Sequence, residues 1–421
     1  MGVAHLSAVE PPPPTPPQGE GSLGLVMKQS THRILALDAL RGLAVIGIVP
    51  MNVIAFSMPP AAYINPRAYG GDGPLETLLW AISFVFVEDK FRALFAMMFG
   101  AGVAILLDKA SAHPLRGHFA RMAALLLIAI THALLLANND VLRSYAVAGL
   151  VLPLVIRWRV RTMLWSAAAL MAAQLAFSGY YAAQWLMALG DAAAQSAAEA
   201  NYGYNPQAIA EAMARSEMGL AERVVHRIGQ WQQQLTFVVA SLPSTLAAML
   251  AGVALWRSGL LAGEWERARL LRLAAQCAAI ALPVLVVLAA WSISSGFDPI
   301  VTTANALVWS APFDLLLGIG WAALAMALFA SGGAITQRLG AAGRMALTNY
   351  LGTSVVFGSL FASWGLGLYA EVTRAQALLL GLVPVALMLL VSPLWLARFR
   401  QGLAEWLWRS LASLKAKPFR R

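Results

Sequence analysis

Charged residues are scarce: Asp, Glu, Lys and Arg make up 12% of the 421 residues, about half the roughly 25% of an average soluble domain. That shortage, with 59% hydrophobic residues, excludes a soluble enzyme of this length. Cysteine is almost missing. The single Cys277 lies in an apolar run, so no intrachain disulfide or cysteine metal cluster can form, and the redox compartment leaves no mark on the sequence. Acidic residues number 20 against 30 basic ones. The Lys and Arg sit in short turns between apolar runs, a pattern that orients helices in a bilayer rather than one that grips nucleic acid. The expected partner is therefore the lipid bilayer and not nucleic acid. Also lacking are GxSxG, HExxH and a glycine-rich phosphate loop. His113, His118 and His226 have no second ligand at metal spacing, so no metal is expected.

What is present is a succession of apolar stretches, each near the ~20 residues that a spanning helix needs. Ten crossings are expected, at about 36–58, 90–108, 121–137, 142–156, 162–181, 235–256, 273–293, 304–330, 345–366 and 376–396. The fold class is thus all-α, a polytopic membrane helix bundle. Residues 1–32, with the prolines Pro11 to Pro14, Pro16 and Pro17, read as a disordered tail, 33–396 as the bundle, and 397–421 as a basic amphipathic tail. In that tail Leu403, Trp406, Leu407, Leu411 and Leu414 form an apolar stripe suited to an anionic inner leaflet. Placing both termini in the cytoplasm puts 22 of the 30 basic residues inside. The 33-residue stretch 75–107 is too long for one crossing and too short for two. Glu88, Asp89, Lys90 and Arg92 divide it, so 75–87 is expected to be a re-entrant or surface helix on the outer face. Between crossings five and six, 182–232 reads as an outer amphipathic insertion. There Asn205 and Pro206 mark a helix start, and Ile209, Met213, Leu220, Val224 and Ile228 recur at helical spacing.

Ionisable groups inside spans are costly, so each is either functional or a packing device with a partner. An inner group comprises Arg33, Asp38 and Arg41 with Arg344, Thr348, Asn349 and Tyr350. Asp38 and Arg41 share a helix face and can pair. They either tie a helix end into the bundle or, with Arg344, face an anionic cytosolic ligand. An outer group comprises Asn52, Glu88, Asp89, Lys90, Arg92, His132, Asp140 and Arg143. His132, the one histidine placed inside a span, lies near enough to the following turn for Asp140 to orient its ring. Such a pair acts as a general base near neutral pH, unless the histidine only bonds a backbone carbonyl or water. Asp314 falls near the middle of the eighth crossing, where it either couples protons in a transporter or bridges two helices. Gly100, Gly102, Gly318, Gly320, Gly365 and Gly367 read as packing residues.

The stretches RILALDALRGLAVIGIVPMN (33–52), EDKFRALFAMMFGAG (88–102), His132 through NNDVLRSYAVAGL (138–150), GRMALTNYL (343–351) and EWLWRSL (405–411) resemble, in order, the YeiB-like family of bacterial inner-membrane proteins. The resemblance implies a multi-pass inner-membrane protein of the transmembrane acyltransferase superfamily, beside the acyltransferase-3 proteins. It implies transfer of an acyl group from cytosolic acyl-CoA to an extracytoplasmic small-molecule or glycan acceptor. By the same resemblance Arg41, Arg344, Asn349 and Tyr350 would meet the donor. Arg41 matches the superfamily's first-helix arginine, but Asn52 stands where those proteins keep a histidine. Asparagine is not a base at pH 7, so His132 with Asp140 is the expected substitute. The alternative is a transporter or exporter using the same polar groups.

Overall fold

The computed structural model describes residues 20–108, 114–138 and 140–421, with side chains from 35 onward. The proline run and His113 lie outside them, as does the side chain of Arg33. The described chain is helical and contains no named strand; a lone bridge pairs Phe399 with Arg420. In order the helices are α1 (Glu20–Ser57), α2 (Pro74–Phe86), α3 (Lys90–Asp108), α4 (Pro114–Leu135), α5 (Leu142–Val155) and α6 (Val160–Met187). Then come α7 (Ala192–Tyr202), α8 (Pro206–Glu217), α9 (Leu220–Gly229), α10 (Trp231–Arg257), α11 (Arg267–Ser294) and α12 (Pro299–Ala304). The last six are α13 (Ala311–Phe329), α14 (Ala334–Arg344), α15 (Ala346–Phe361), α16 (Arg374–Leu380), α17 (Leu382–Arg398) and α18 (Leu403–Ser413).

Among the described residues, eight helical stretches are long and apolar enough to cross a membrane. The further crossings expected at 142–156 and 345–366 are the 14-residue α5 and the 16-residue α15, ~21 and ~24 Å long at ~1.5 Å per residue. The stretch 75–107 breaks where its charges fall: α2 stops at Phe86, and Asp89 takes φ 57° to start α3 on a new axis. Left-handed backbone suits few residues other than glycine, Asp among them. The eighth crossing is interrupted by a π turn, Asn305–Trp309, held to α11 by Asn305 Nδ2 on Leu288 O (3.1 Å) and Ser292 Oγ (3.0 Å). Asp314 therefore sits in the first turn of α13, and Ser310 Oγ donates to its Oδ2 at 2.8 Å. Within the insertion a helix starts where expected, α8, with Asn205 Oδ1 accepting from Ala208 N and Pro206 in the first turn. The insertion is not one helix, however: at Met218–Gly219 the chain extends, and Glu222 accepts from Gly219 N to start α9. His118 lies within α4 and is fully buried, with Nε2 2.8 Å from Gly149 O.

Glycines set the closest helix crossings. A Cβ on Gly252 of α10 would fall 1.9 Å from Met97 O, and one on Gly100 of α3 would fall 2.3 Å from Met249 O. The two backbones thus touch reciprocally. At the α1–α14 crossing, Gly343 meets Asp38 O at 1.8 Å and Gly42 meets Leu339 O at 2.1 Å in the same sense. Backbone atoms cannot swing aside as a long side chain can. Gly252→Ala should therefore part α3 from α10 and cost about 1–3 kcal/mol, read as a lower unfolding temperature in detergent. An unchanged transition would mean that the crossing tolerates more slack than its geometry implies.

Candidate functional site

Helices α4 and α15 and the turn before α5 bring one polar array together inside this bundle. α4 carries His132 in its last turn, and the turn before α5 carries Asp140. α15 carries Tyr350 and Ser354, four residues apart and hence on one helix face. Ser354 Oγ lies 2.9 Å from His132 Nε2, and Asp140 Oδ2 lies 3.0 Å from His132 Nδ1. The second contact is short but bent away from the axis of a ring N–H bond. Asp140 Oδ1 accepts from Tyr350 OH and from Leu142 N, both at 2.9 Å. His132, Asp140, Ser354 and Tyr350 are all buried, so these bonds are what compensates a carboxylate withdrawn from water. The Tyr350 ring stacks on Phe95 at 6.1 Å and lies 5.7 Å from the His132 ring, walling the array with aromatic surface. With the ring proton on Nδ1, facing Asp140, Nε2 accepts from the Ser354 hydroxyl. A hydroxyl, a base and a group that orients the base, within hydrogen-bond reach, are the parts of an activated nucleophile.

The helices that carry these groups are fastened from both sides. Arg227 of α9 donates to the carbonyls of Ala133 and Leu134, each at 3.0 Å, and thereby caps the end of α4 next to His132. Burial lowers the Arg227 guanidinium to about 10, which leaves it charged at neutral pH. At α15, Glu405 of α18 accepts from Leu347 N (2.7 Å) and Thr348 N (3.2 Å), and Thr348 Oγ1 donates to its other oxygen at 2.5 Å. An acidic group on free N–H groups is the favoured partner of a helix start. Trp408 Nε1 donates to Arg121 O at 2.7 Å, joining α18 to α4. The EWLWRSL stretch thus works as a clamp. Leu403 and Leu407 of α18 and Leu414 just after it are exposed, whereas Trp406 and Leu411 are half-buried.

The expected inner group stays together only in part: Arg344 is a neighbouring cation of the Asp38–Arg41 pair, while Thr348, Asn349 and Tyr350 turn to other partners. Arg41 Nη1 pairs with Asp38 Oδ1 at 2.9 Å, and Arg344 is exposed at the end of α14. Asn349 Nδ2 donates to Ala342 O (2.9 Å) and Ser392 Oγ (3.2 Å), tying α15 to α14 and α17. Tyr350, expected beside Arg344, turns instead to Asp140. Asn52 is half-buried on α1 and has no part in the His132 array. Of the outer patch, Lys90 Nζ pairs with Asp314 Oδ1 at 2.6 Å with both side chains buried, and also donates to Phe84 O. Arg92 Nε donates to Asp89 Oδ1 at 2.6 Å, while buried Glu88 has Arg374 as a neighbouring cation. Two separate centres result, the Ser354 array and the Lys90–Asp314 pair. Tyr145 stands between them, its OH donating to Arg92 O at 2.9 Å and its ring 5.7 Å from Phe95. Ser354 went unnoticed in the sequence because a serine on an apolar helix carries no motif. Its one signal was the four-residue offset from Tyr350.

Fold and site together define a multi-pass, all-helical membrane protein with a buried serine–histidine–carboxylate array. The chain is 31% identical over 396 residues to the uncharacterized protein YeiB of Escherichia coli (strain K12), across 92% of this chain and 98% of that one. It is 28% identical over 407 residues to the uncharacterized protein YxaH of Bacillus subtilis (strain 168), across 92% and 96%. Residues 255–415 match the family described as "Protein of unknown function (DUF418)". The chain belongs to this family of YeiB-like proteins. The matched segment includes Tyr350, Ser354 and Glu405, whereas His132 and Asp140 lie upstream of it. No solved structure matches the chain.

Proposed function

We propose that this protein is an inner-membrane acyltransferase of the transmembrane acyltransferase superfamily, in which His132 activates Ser354 and Asp140 orients His132. The observation that carries the proposal is the 2.9 Å contact between Ser354 Oγ and His132 Nε2, with a carboxylate 3.0 Å from the other ring nitrogen. Ser354 Oγ attacks the thioester carbonyl of an acyl-CoA, and its proton passes to His132 Nε2. The C–S bond breaks and the thiolate leaves with that proton, giving an acyl-serine and free CoA. A hydroxyl or amine acceptor then attacks the acyl-serine carbonyl and gives its proton to His132; the acyl C–Oγ bond breaks and His132 returns the proton to Ser354 Oγ. Arg344 is exposed at the end of α14, just before the break at Met345 that starts α15. In this proposal it meets the donor phosphates at the membrane face. Incubating the purified protein with 14C-acetyl-CoA should give a protein-bound label released by hydroxylamine. Absence of both label and acyl transfer with any acyl-CoA would favour the second reading, export of a small molecule, for which the Lys90–Asp314 pair is the supporting feature.

The same proposal sets ten crossings with both termini cytoplasmic, on the strength of the basic-residue asymmetry. In a Cys277→Ser background, a membrane-impermeant maleimide should label Asp72→Cys from outside and leave Arg338→Cys untouched. The Asp72 side chain is 84% exposed and Arg338 is exposed on α14. External labelling at 338 would reverse the orientation.

A further inference from the structure

A cavity of ≈ 50 Å³ lies between α3, α6, α10 and α13, apart from the Ser354 array. Asp89, Arg92, Asp314, Gln174 and Thr245 contribute its polar wall. The charges there are already matched, Asp89 with Arg92 at 2.6 Å and Asp314 with Lys90 at 2.6 Å, so the wall does not call for a counter-ion. What it leaves unmatched is neutral. Thr245 Oγ1 belongs to a residue that is 1% exposed and has no hydrogen-bond partner, and Gln174 Oε1 is buried without one. A buried hydroxyl can donate or accept, and an amide oxygen only accepts. A group that both donates and accepts, such as an alcohol, would satisfy the two atoms, and each unsatisfied buried group is costly.

Beside the cavity runs a narrow seam that shares Met171, Gln174, Leu307 and Ala311 with it and adds Leu175, Ser178 and Val308; it is closed to a water-sized group in this structure. The seam is mostly apolar. It runs between α6, a peripheral helix, and the π turn, where Leu307 is 44% exposed on the apolar surface of the bundle. Trp309 of the same turn lies against Gly179 of α6, where a Cβ would meet its ring at 3.2 Å. π turns interrupt helices mostly where a function requires it. Polar groups in the cavity and mostly apolar groups along the seam match a molecule with a small polar head and a hydrocarbon tail, whose entry would part α6 from the π turn.

We propose that this cavity binds the neutral, hydroxyl-bearing head of a single-chain lipid, admitted sideways between α6 and the π turn, with its tail along the seam. A volume of ≈ 50 Å³ holds a few water-sized groups at ~10–15 Å³ each, which suits a glycerol-sized head and excludes a bulky one. The site stands independently of acyl transfer. The test uses the full-length protein in phosphatidylcholine nanodiscs and a monoacylglycerol carrying a diazirine and an alkyne in its chain. The same chain ending in a carboxylate or a trimethylammonium group serves for comparison. The glycerol-headed probe should crosslink to peptides of α6 or 305–311, and unlabelled monoacylglycerol should compete. Thr245→Val should weaken that competition about five-fold, the equivalent of one lost hydrogen bond; if it does not fold, Gln174→Leu replaces it. Leu307→Trp should block the seam and abolish labelling, while Leu328→Trp, exposed elsewhere on α13, should not. Equal labelling by all three probes would mean that the seam takes any acyl chain without reading its head, and labelling indifferent to both Thr245→Val and Leu307→Trp would mean that the probe does not enter the cavity; either result would overturn the proposal. A Ser354→Ala protein should still label. Labelling without acyl transfer would therefore sustain this site and sink the other reading.

Discussion

Ser354→Ala and His132→Ala should each lower acyl transfer by ~10² to 10⁴-fold, the usual contribution of a positioned proton-transfer group. The equality of the two losses is the informative part. If Ser354 carries the acyl group, either substitution removes the first step, and the hydroxylamine-sensitive label disappears from both variants. If His132 instead acts directly on the acceptor, Ser354→Ala should remain active and only His132→Ala should fail. Asp140→Asn should cost less, because Tyr350 OH and Leu142 N still hold the side chain at 2.9 Å while its charge is lost. Tyr350→Phe removes one hydrogen bond and should act on the orientation of Asp140, giving about a five-fold loss. Size-exclusion profiles of all four variants separate lost chemistry from lost folding. A folded Ser354→Ala protein with full activity and an intact acyl label would eliminate Ser354 as nucleophile.

Lys90→Met should produce the largest stability loss of any single substitution considered, about 3–5 kcal/mol. The Lys90 and Asp314 side chains are 1% and 5% exposed and 2.6 Å apart, so solvent does not screen the pair. Removing the ammonium strands a carboxylate among apolar helices and leaves the Phe84 carbonyl without its donor. Asp314→Asn should destabilise for the mirror reason, leaving Lys90 charged and partly unpaired. The double variant Lys90→Met/Asp314→Leu should recover most of the loss, since replacing both members of a buried pair by apolar groups is often neutral. Thermal unfolding in detergent measures all three. If the double variant unfolds as early as Lys90→Met, the damage comes from altered packing rather than from an uncompensated charge. The α3–α13 contact would then owe little to the ion pair.

The sequence by itself determined the class of protein. Apolar runs near the length of a bilayer, with a deficit of charge, admit hardly any soluble fold, because lipid demands that every backbone group be bonded within a helix. It also located the start of α8 at Asn205 and the break between α2 and α3, since capping and charge act within one or two helical turns. It singled out His132 and Asp140 because they are eight positions apart across one turn, a separation that local geometry can judge. Tertiary structure alone decided the rest. Ser354 is 222 positions from His132 and Tyr350 is 210 from Asp140, and no periodicity states which helix faces which. The partner of Asp314 proved to be Lys90, and that of Thr348 proved to be Glu405, for the same reason. Helix order in a bundle follows from where backbones can approach, at Gly252 on Met97 and Gly343 on Asp38. Those contacts depend on two surfaces at once, and a single chain of letters records each surface separately.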